Sequence, residues 1–247
     1  LTDSGLSITE WDLISGILPP LNQAAWLEMF IKYQAIPEFI YLNNDFTLEQ
    51  FKGIFWLEYW HRILGRITGL VFLLPWLFFY CYLRVLTFKA SRYWPLPILV
   101  LGQGLLGWLM VKSGLSENLD VSHFRLAAHL LMAFTLFSII YWFILERLYQ
   151  AKKAFFWRDK RLLQLSCFLL FWLILQIFYG ALVAGLKAGY LYNQFPLMGS
   201  YIYPIEWQFN LFNWLNEHAS VQFIHRLTAT ILLILTNTIL PQEYLGN

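Results

Sequence analysis

Five long apolar runs dominate this sequence and restrict the folds that it can adopt. They lie near 60–86, 95–114, 124–148, 162–187 and 219–240. A helix rises about 1.5 Å per residue, so each run is long enough to cross the roughly 30 Å apolar core of a bilayer. Hydrophobic residues make up 59% of the chain and charged residues 13%, which is more apolar surface than one soluble core can bury. The sequence therefore predicts an all-α polytopic membrane helix bundle with five transmembrane helices.

Basic residues in two loops predict how the chain is oriented in the membrane. The loop at 84–94 carries three basic residues and no acidic residue, and the loop at 146–161 carries six basic and two acidic residues. Short loops rich in Lys and Arg stay on the cytoplasmic or matrix side, so residues 1–57 and the loop at 188–218 are expected on the opposite, outer side. The net charge of +2 excludes a nucleic-acid surface and leaves membrane lipid as the surrounding partner.

The outer segment 1–57 is too long to be a simple connector. Its sequence predicts short surface helices over about 24–34 and 47–57, and Thr47 with Gln50 matches a capping box at the start of the second. The segment is either a membrane-surface cap without chemistry or a lid that gates a substrate.

Three histidines, His61, His129 and His225, lie near the outer ends of separate apolar runs, so we expect them at about the same depth. Histidines inside a membrane are rare and usually functional. Two occur in a repeated frame, Glu58 to Arg62 and Gln222 to Arg226, with a polar residue three positions before His and Arg directly after it. A haem in a helix bundle needs imidazole nitrogens as iron ligands, so the three histidines are predicted haem ligands.

A haem also carries two propionates, for which nearby arginines are candidate partners. Guanidinium groups bind carboxylates through two parallel hydrogen bonds. The candidates are Arg62, Arg66, Arg125 and Arg226. Alternatively, these arginines contact lipid phosphates at the membrane surface.

Glu58 is the candidate catalytic residue. It lies three residues before His61 and so on the same helix face, where a carboxylate can relay protons. An ion pair with Arg62, four residues later, is the alternative role. The equivalent residue of the second frame, Gln222, cannot exchange protons, so we expect chemistry beside Glu58 and electron handling beside His225.

The chain resembles the haem A synthase family in an ordered series of motifs that spans nearly its whole length. The motifs run over Leu1 to Trp11, Pro19 to Leu21, Pro37 to Phe39, Phe51 to Phe55, Glu58 to Gly69, Gly107 to Leu115, Arg125 to His129, Gly180 to Leu186, Tyr192 to Met198 and Gln222 to Arg226. The resemblance implies a haem-dependent membrane oxidoreductase that oxidises the C8 methyl of haem O to the formyl group of haem A by successive hydroxylations, for terminal oxidase assembly. It also implies a bacterial or mitochondrial inner membrane, with the histidines near the periplasmic or intermembrane face.

The resemblance further implies eight helices in two four-helix halves related by a pseudo-twofold axis. The five runs correspond to the second to sixth of these, so the first and the last two are expected to be lacking here. The expected divisions are the outer segment 1–57, an amino-terminal half-bundle at 58–148, an inner loop at 149–161 and an incomplete carboxy-terminal half-bundle at 162–247.

The site residues that the resemblance implies follow the same two halves. Substrate haem O would lie between His61 and His129, with Glu58 at its reacting edge. A cofactor haem b would be ligated by His225 and by a histidine of the last helix, which is not in this chain.

The expected partners are haem O, delivered by haem O synthase, an electron donor such as ferredoxin or quinol, and a second copy of the chain in a homo-oligomer. Two other functions stay open. One is a b-type di-haem electron carrier, and the other is an inactive fragment or assembly partner of the oxidase. A carboxylate in only one of the two frames, at Glu58 and not at Gln222, favours an enzyme over a carrier.

Overall fold

The computed structural model of the chain is helical and describes residues 6–10, 17–81, 93–116, 121–148, 160–205 and 207–244. The helices are α1 (Gln23–Gln34), α2 (Pro37–Leu42), α3 (Leu48–Cys81), α4 (Pro95–Ser116), α5 (His123–Leu148), α6 (Lys160–Gly185), a short 3₁₀ helix (Ala188–Tyr190), α7 (Leu211–Asn216) and α8 (His218–Tyr244). Within the described ranges, α3, α4, α5, α6 and α8 are long and apolar enough to cross a membrane. The predicted all-α fold with five membrane helices is confirmed.

Much of the two basic loops that predict the orientation, and the last residues of the predicted run at 60–86, lie outside the described residues. The division of the chain into half-bundles, the expected total of eight helices and the orientation in the membrane all stay predictions.

Helix α3 differs from the sequence prediction at its beginning. The sequence predicts a surface helix over 47–57 and a membrane helix starting near 60, whereas the structure has one continuous helix of 34 residues from Leu48 to Cys81. No proline or polar turn interrupts 57–60, so the hydrogen-bond ladder continues through it. At about 51 Å, the helix is longer than the roughly 30 Å apolar core of a bilayer.

The predicted capping box at the start of α3 is confirmed. The Thr47 backbone N–H donates to Gln50 Oε1 at 2.8 Å, and the Gln50 N–H donates to Thr47 Oγ1 at 3.4 Å. These two bonds satisfy backbone donors that the first turn of a helix otherwise leaves without a partner.

The chain divides into two compact units, Leu1–Arg125 and Leu126–Asn247. In the first unit, α1 packs on the early turns of α3 through an aromatic cluster. Trp26 meets the ring of Phe55 edge-on, with centroids 4.9 Å apart, and Tyr33 lies 5.1 Å from Phe51. Leu6 and Ile8 of the amino-terminal segment are buried in the same core. This packing attaches the segment before α1 to the helix that carries Glu58 and His61.

The second unit is built on the pairing of α6 with α8. Its buried cluster combines Tyr179 with smaller residues, among them Ala181 and Val221. Small side chains let two membrane helices approach closely. The close pairing brings the polar residues of α6 within hydrogen-bond distance of those on α8.

Candidate functional site

Glu58 is buried, with 6% of its surface exposed, and is held by the amino-terminal segment. Its Oε2 accepts a hydrogen bond from Ser7 Oγ at 2.6 Å and another from the Ile8 backbone N–H at 2.9 Å. Hydrogen bonds of these lengths are directional. The carboxylate is therefore fixed in one orientation on α3.

The amino-terminal segment that holds Glu58 packs closely on α4. Leu6 lies against Gly114, and a Cβ at Gly114 would come within 2.9 Å of the Leu6 methyl groups. Leu6 and Ile8 are buried on either side of Ser7 in the chain, so they hold the Ser7 hydroxyl at Glu58. A larger residue at 114 would therefore make the Leu6 side chain shift.

Arg62 forms the ion pair that the sequence analysis offered as an alternative role for Glu58. Its Nη1 lies 3.8 Å from Glu58 Oε1, and its Nη2 donates to the Glu10 backbone carbonyl at 3.3 Å. The pair is longer than a hydrogen bond, so the carboxylate is held more closely by Ser7 and Ile8 than by Arg62. Glu58 Oε1 accepts no hydrogen bond from any described residue.

His61 follows Glu58 on α3 and is exposed. Its imidazole makes no hydrogen bond with the described residues, so both ring nitrogens are accessible. Arg66 lies one turn beyond Arg62 and is partly buried. Arg125 is exposed and donates from Nη1 to the Leu109 carbonyl of α4 at 2.6 Å.

His129 belongs to the second unit and is partly buried on α5, two residues after the buried Ala127. His61 belongs to the first unit. The pairing of His61 with His129 as ligands of one haem stays a prediction.

His225 is partly buried on α8 and faces α6. The Gln176 side-chain amide nitrogen lies 3.1 Å from His225 Nδ1 and 3.3 Å from Nε2. The Thr228 hydroxyl donates to Gln176 Oε1. A Cβ on Gly180 would come within 3.2 Å of His225 Cε1, so this glycine makes room for the ring.

An axial haem ligand needs a neutral imidazole whose plane is fixed and whose second nitrogen carries a proton. Gly180 and Gln176 fix the ring of His225, and the Gln176 atom nearest the ring is the amide nitrogen. The role of His225 as a haem ligand stays a prediction.

Gln222 and Arg226 donate hydrogen bonds to the loop that follows α6. Gln222 Nε2 donates to the carbonyls of Gly189 at 3.3 Å and Tyr192 at 2.9 Å. Arg226 donates to three loop carbonyls, those of Tyr192, Gln194 and Leu197. Three loop carbonyls thus already engage the Arg226 guanidinium, and its predicted role as a propionate partner stays a prediction.

Glu217 caps the amino terminus of α8. Its carboxylate accepts the backbone N–H groups of Ala219 at 3.0 Å and Ser220 at 2.6 Å. Burial alone raises the pKa of Glu217, but these hydrogen bonds outweigh it and lower the pKa below its ordinary value of 4.5. The helix that carries His225 therefore begins at a cap that is ionised at neutral pH.

Sequence reasoning missed Ser7, Gln176, Gly180 and Thr228 as parts of the two sites. For Gln176 a signal was present, since an amide inside an apolar run needs a hydrogen-bond partner within the bundle. Ser7 gave no such signal, because its role depends on where the segment before α1 folds.

Comparison with known proteins identifies the family. The model of the COX15-CtaA family, described as cytochrome oxidase assembly protein, matches residues 1–242. Similar relatives include the haem A synthases of Rickettsia prowazekii, 45% identical over 92% of this chain and 68% of the relative, and of Pelagibacter ubique, 42% identical over 94% and 69%. The haem A synthase of Rhizobium leguminosarum bv. trifolii is 45% identical over 96% of this chain and 65% of the relative.

The chain thus spans about two thirds of the length of these relatives. No solved structure matches it. The family match covers nearly the whole chain, and the predicted resemblance is confirmed. The chain belongs to the cytochrome oxidase assembly family that contains the haem A synthases, and it is a multi-pass membrane protein of that family.

Proposed function

We propose that this protein oxidises the C8 methyl of haem O to the formyl group of haem A. The observation that carries the proposal is the buried carboxylate of Glu58, which Ser7 and Ile8 hold in place three residues before His61 on the same helix. The family membership supports the same activity.

In the proposal, His61 and His129 are the iron ligands of the substrate, haem O. His225 ligates a cofactor haem b, which supplies one-electron transfer when it is bound. Arg62, Arg66, Arg125 and Arg226 are the candidate partners of the propionates. Of these, Arg66 is partly buried near the turn that carries His61.

Oxidation of a methyl to a formyl group removes four electrons from the carbon. Two successive hydroxylations give an alcohol and then a gem-diol, which loses water to leave the aldehyde. In a monooxygenase reaction each hydroxylation consumes one dioxygen, two electrons and two protons, inserts one oxygen atom into a C–H bond and releases the other as water. An external donor such as ferredoxin or quinol would supply the electrons, and haem O synthase would deliver the substrate.

The chain's own contribution is to orient the substrate and to move protons. Glu58 Oε2 is occupied by two donors, whereas Oε1 accepts no hydrogen bond from the described residues. We propose that Oε1 is the atom that accepts or delivers a proton during the reaction. The location is a bacterial or mitochondrial inner membrane, with the histidines near the outer face and, by the family likeness, a homo-oligomer as the assembly.

The test is Glu58→Gln in the full-length protein, produced in cells that make haem O and lack their own haem A synthase. Glutamine keeps an oxygen that can accept from Ser7 and Ile8 but cannot exchange a proton. General acid–base catalysis contributes about 10²-fold or more, so haem A should fall at least about 100-fold while haem O accumulates. Extracted haems measured by chromatography give both amounts.

The matched control is Glu49→Gln on the same helix. Glu49 is exposed and pairs with Lys52 at the surface, so this variant should produce the parent amount of haem A. Unchanged haem A from Glu58→Gln would contradict the role of the carboxylate. A parent protein that carries haem B and yields no haem A would instead favour the b-type electron carrier.

A further inference from the structure

A polar trio, Gln176, His225 and Thr228, joins α6 to α8 inside the second unit. The Gln176 amide lies at 3.1 Å from His225 Nδ1, and Thr228 donates its hydroxyl hydrogen to Gln176 Oε1. Thr228 is buried, with 4% of its surface exposed. On α6, Gln176 lies within an apolar stretch, so its amide depends on His225 and Thr228 of α8 for hydrogen bonds.

The Gln176 amide contacts the edge of the ring that lies between its two nitrogens. Its nitrogen lies within 3.3 Å of both Nδ1 and Nε2. Gly180, one turn further along α6, is in contact with the Cε1 atom between them. The position of the imidazole on α8 is therefore determined by two residues of α6.

An imidazole that binds iron through one nitrogen carries a proton on the other and needs an acceptor for it. A glutamine amide supplies an acceptor after a half-turn about its last bond, because its oxygen and nitrogen are nearly the same size. Thr228 can follow that turn, since a hydroxyl donates or accepts equally well. Its hydrogen then bonds the carbonyl of Ile224 or His225, each 3.0 Å away.

We propose that Gln176, held by Thr228, is a positioning residue that fixes the ring plane and the protonated nitrogen of His225, and so sets the reduction potential of the haem that His225 ligates. The proposal rests on the proposed role of His225 as a haem ligand. An acceptor on the ligand's N–H makes the imidazole a stronger donor, which favours ferric iron and lowers the potential.

The test is a redox titration of the haem b in the purified full-length protein, carried out on Gln176→Met, Thr228→Val and Thr228→Ser. Methionine has the size of glutamine but no hydrogen-bonding amide, so the potential should rise. A tenfold change in the relative affinity for ferrous and ferric iron corresponds to about 59 mV. Thr228→Val should raise the potential by a smaller amount. Thr228→Ser keeps the hydroxyl and should have the parent potential.

The control is Thr236→Val, two turns further along α8, where the hydroxyl donates only within its own helix, to Leu232 and Leu233. It should leave the potential unchanged. If Gln176→Met does not retain haem, the potentials of Thr228→Val and Thr228→Ser are compared instead. Parent potentials in both Gln176→Met and Thr228→Val, or equal values for valine and serine at 228, would overturn the proposal.

The electron paramagnetic resonance spectrum of the ferric haem is a second readout, because it reports the ligand plane. His225→Ala separates this proposal from the proposed function. If that variant keeps haem b with its parent spectrum, His225 is not a ligand of this haem. The proposal about Gln176 is then wrong because its premise is wrong.

Discussion

Helices α3 and α8 carry the same sequence frame, yet the two copies have opposite hydrogen-bonding partners. At the first position of the frame, Glu58 accepts hydrogen bonds from Ser7 and Ile8, whereas Gln222 donates to the carbonyls of Gly189 and Tyr192. A carboxylate can only accept, and an amide can donate. The difference between glutamate and glutamine therefore decides which segment of chain lies against each helix.

The two histidines differ in the same way. His61 is exposed and makes no hydrogen bond within the described part of the chain, while His225 lies against Gly180 and the Gln176 amide. A ligand for a substrate that must enter and leave benefits from an accessible ring. A ligand for a resident cofactor benefits from a ring that is held. The comparison supports assigning turnover to the frame of α3 and electron transfer to the frame of α8.

The largest expected effect on stability comes from a substitution that gives the α8 frame the glutamate of the α3 frame. Gln222→Glu replaces a buried donor by a charge that faces two carbonyl oxygens, so the free energy of unfolding should fall by about 3 kcal/mol. Thermal unfolding in detergent measures this. Gln208→Glu is the control, because exposed Gln208 accepts a hydrogen bond from Asn213 through an oxygen that glutamate retains. Equal stability of the two variants would mean that the amide at 222 does not hold the loop.

Removing the donor that distinguishes the first frame should have a smaller effect. Ser7→Ala deletes the hydroxyl that bonds Glu58, and removing one partner of a buried hydrogen bond costs about 2 kcal/mol. We expect a lower unfolding temperature and less haem A per molecule of bound haem O. Ser138→Ala, which removes a hydroxyl bonded to the Phe134 carbonyl of its own helix, should change neither. Parent haem A output from Ser7→Ala would show that the segment is not needed to orient Glu58.

The smallest expected effect concerns the caps of the two helices and depends on pH. The pKa of Glu217 is lowered below 4.5 in the folded protein, so its cap stabilises α8 above that pH and is lost as the pH falls through the folded pKa. A cap contributes about 1 kcal/mol. Hydrogen exchange of the first turn of α8, corrected for intrinsic rates, should therefore accelerate in acid. The first turn of α3, capped by the non-ionisable Thr47 and Gln50, should respond less, through exposed Glu49 alone, and an equal response of both would refute the assignment.

Much of the fold followed from patterns that act within one segment. The length of each apolar run predicted a membrane helix, and the capping box at Thr47 and Gln50 was identified correctly. The predicted separation of α3 into two helices was wrong. Residues 57–60, which include Tyr59 and Trp60, are compatible with either a surface helix or a membrane helix. Only the packing of α3 on α1 and its continuous hydrogen bonds distinguish the two.

The candidate residues could be identified from the sequence, but the contacts that support them could not. His61, His225 and Glu58 stand out in the sequence because ionisable residues are costly inside apolar runs. Ser7 precedes Glu58 by 51 residues and Gln176 precedes His225 by 49. No local periodicity links residues so far apart, so their partnership depends on how the helices pack.

The sequence by itself determined that this is a membrane protein, with five helices in its described ranges long and apolar enough to span a bilayer, and it singled out three histidines and one glutamate as candidate functional residues. These properties follow from the free energy of transferring each side chain from water to an apolar medium, which depends on residue type and on neighbours along the same helix. The tertiary structure decided that the segment before α1 holds Glu58 and that α6 holds His225. Hydrogen bonds are short and directional, so they form only where packing brings the two groups within about 3 Å.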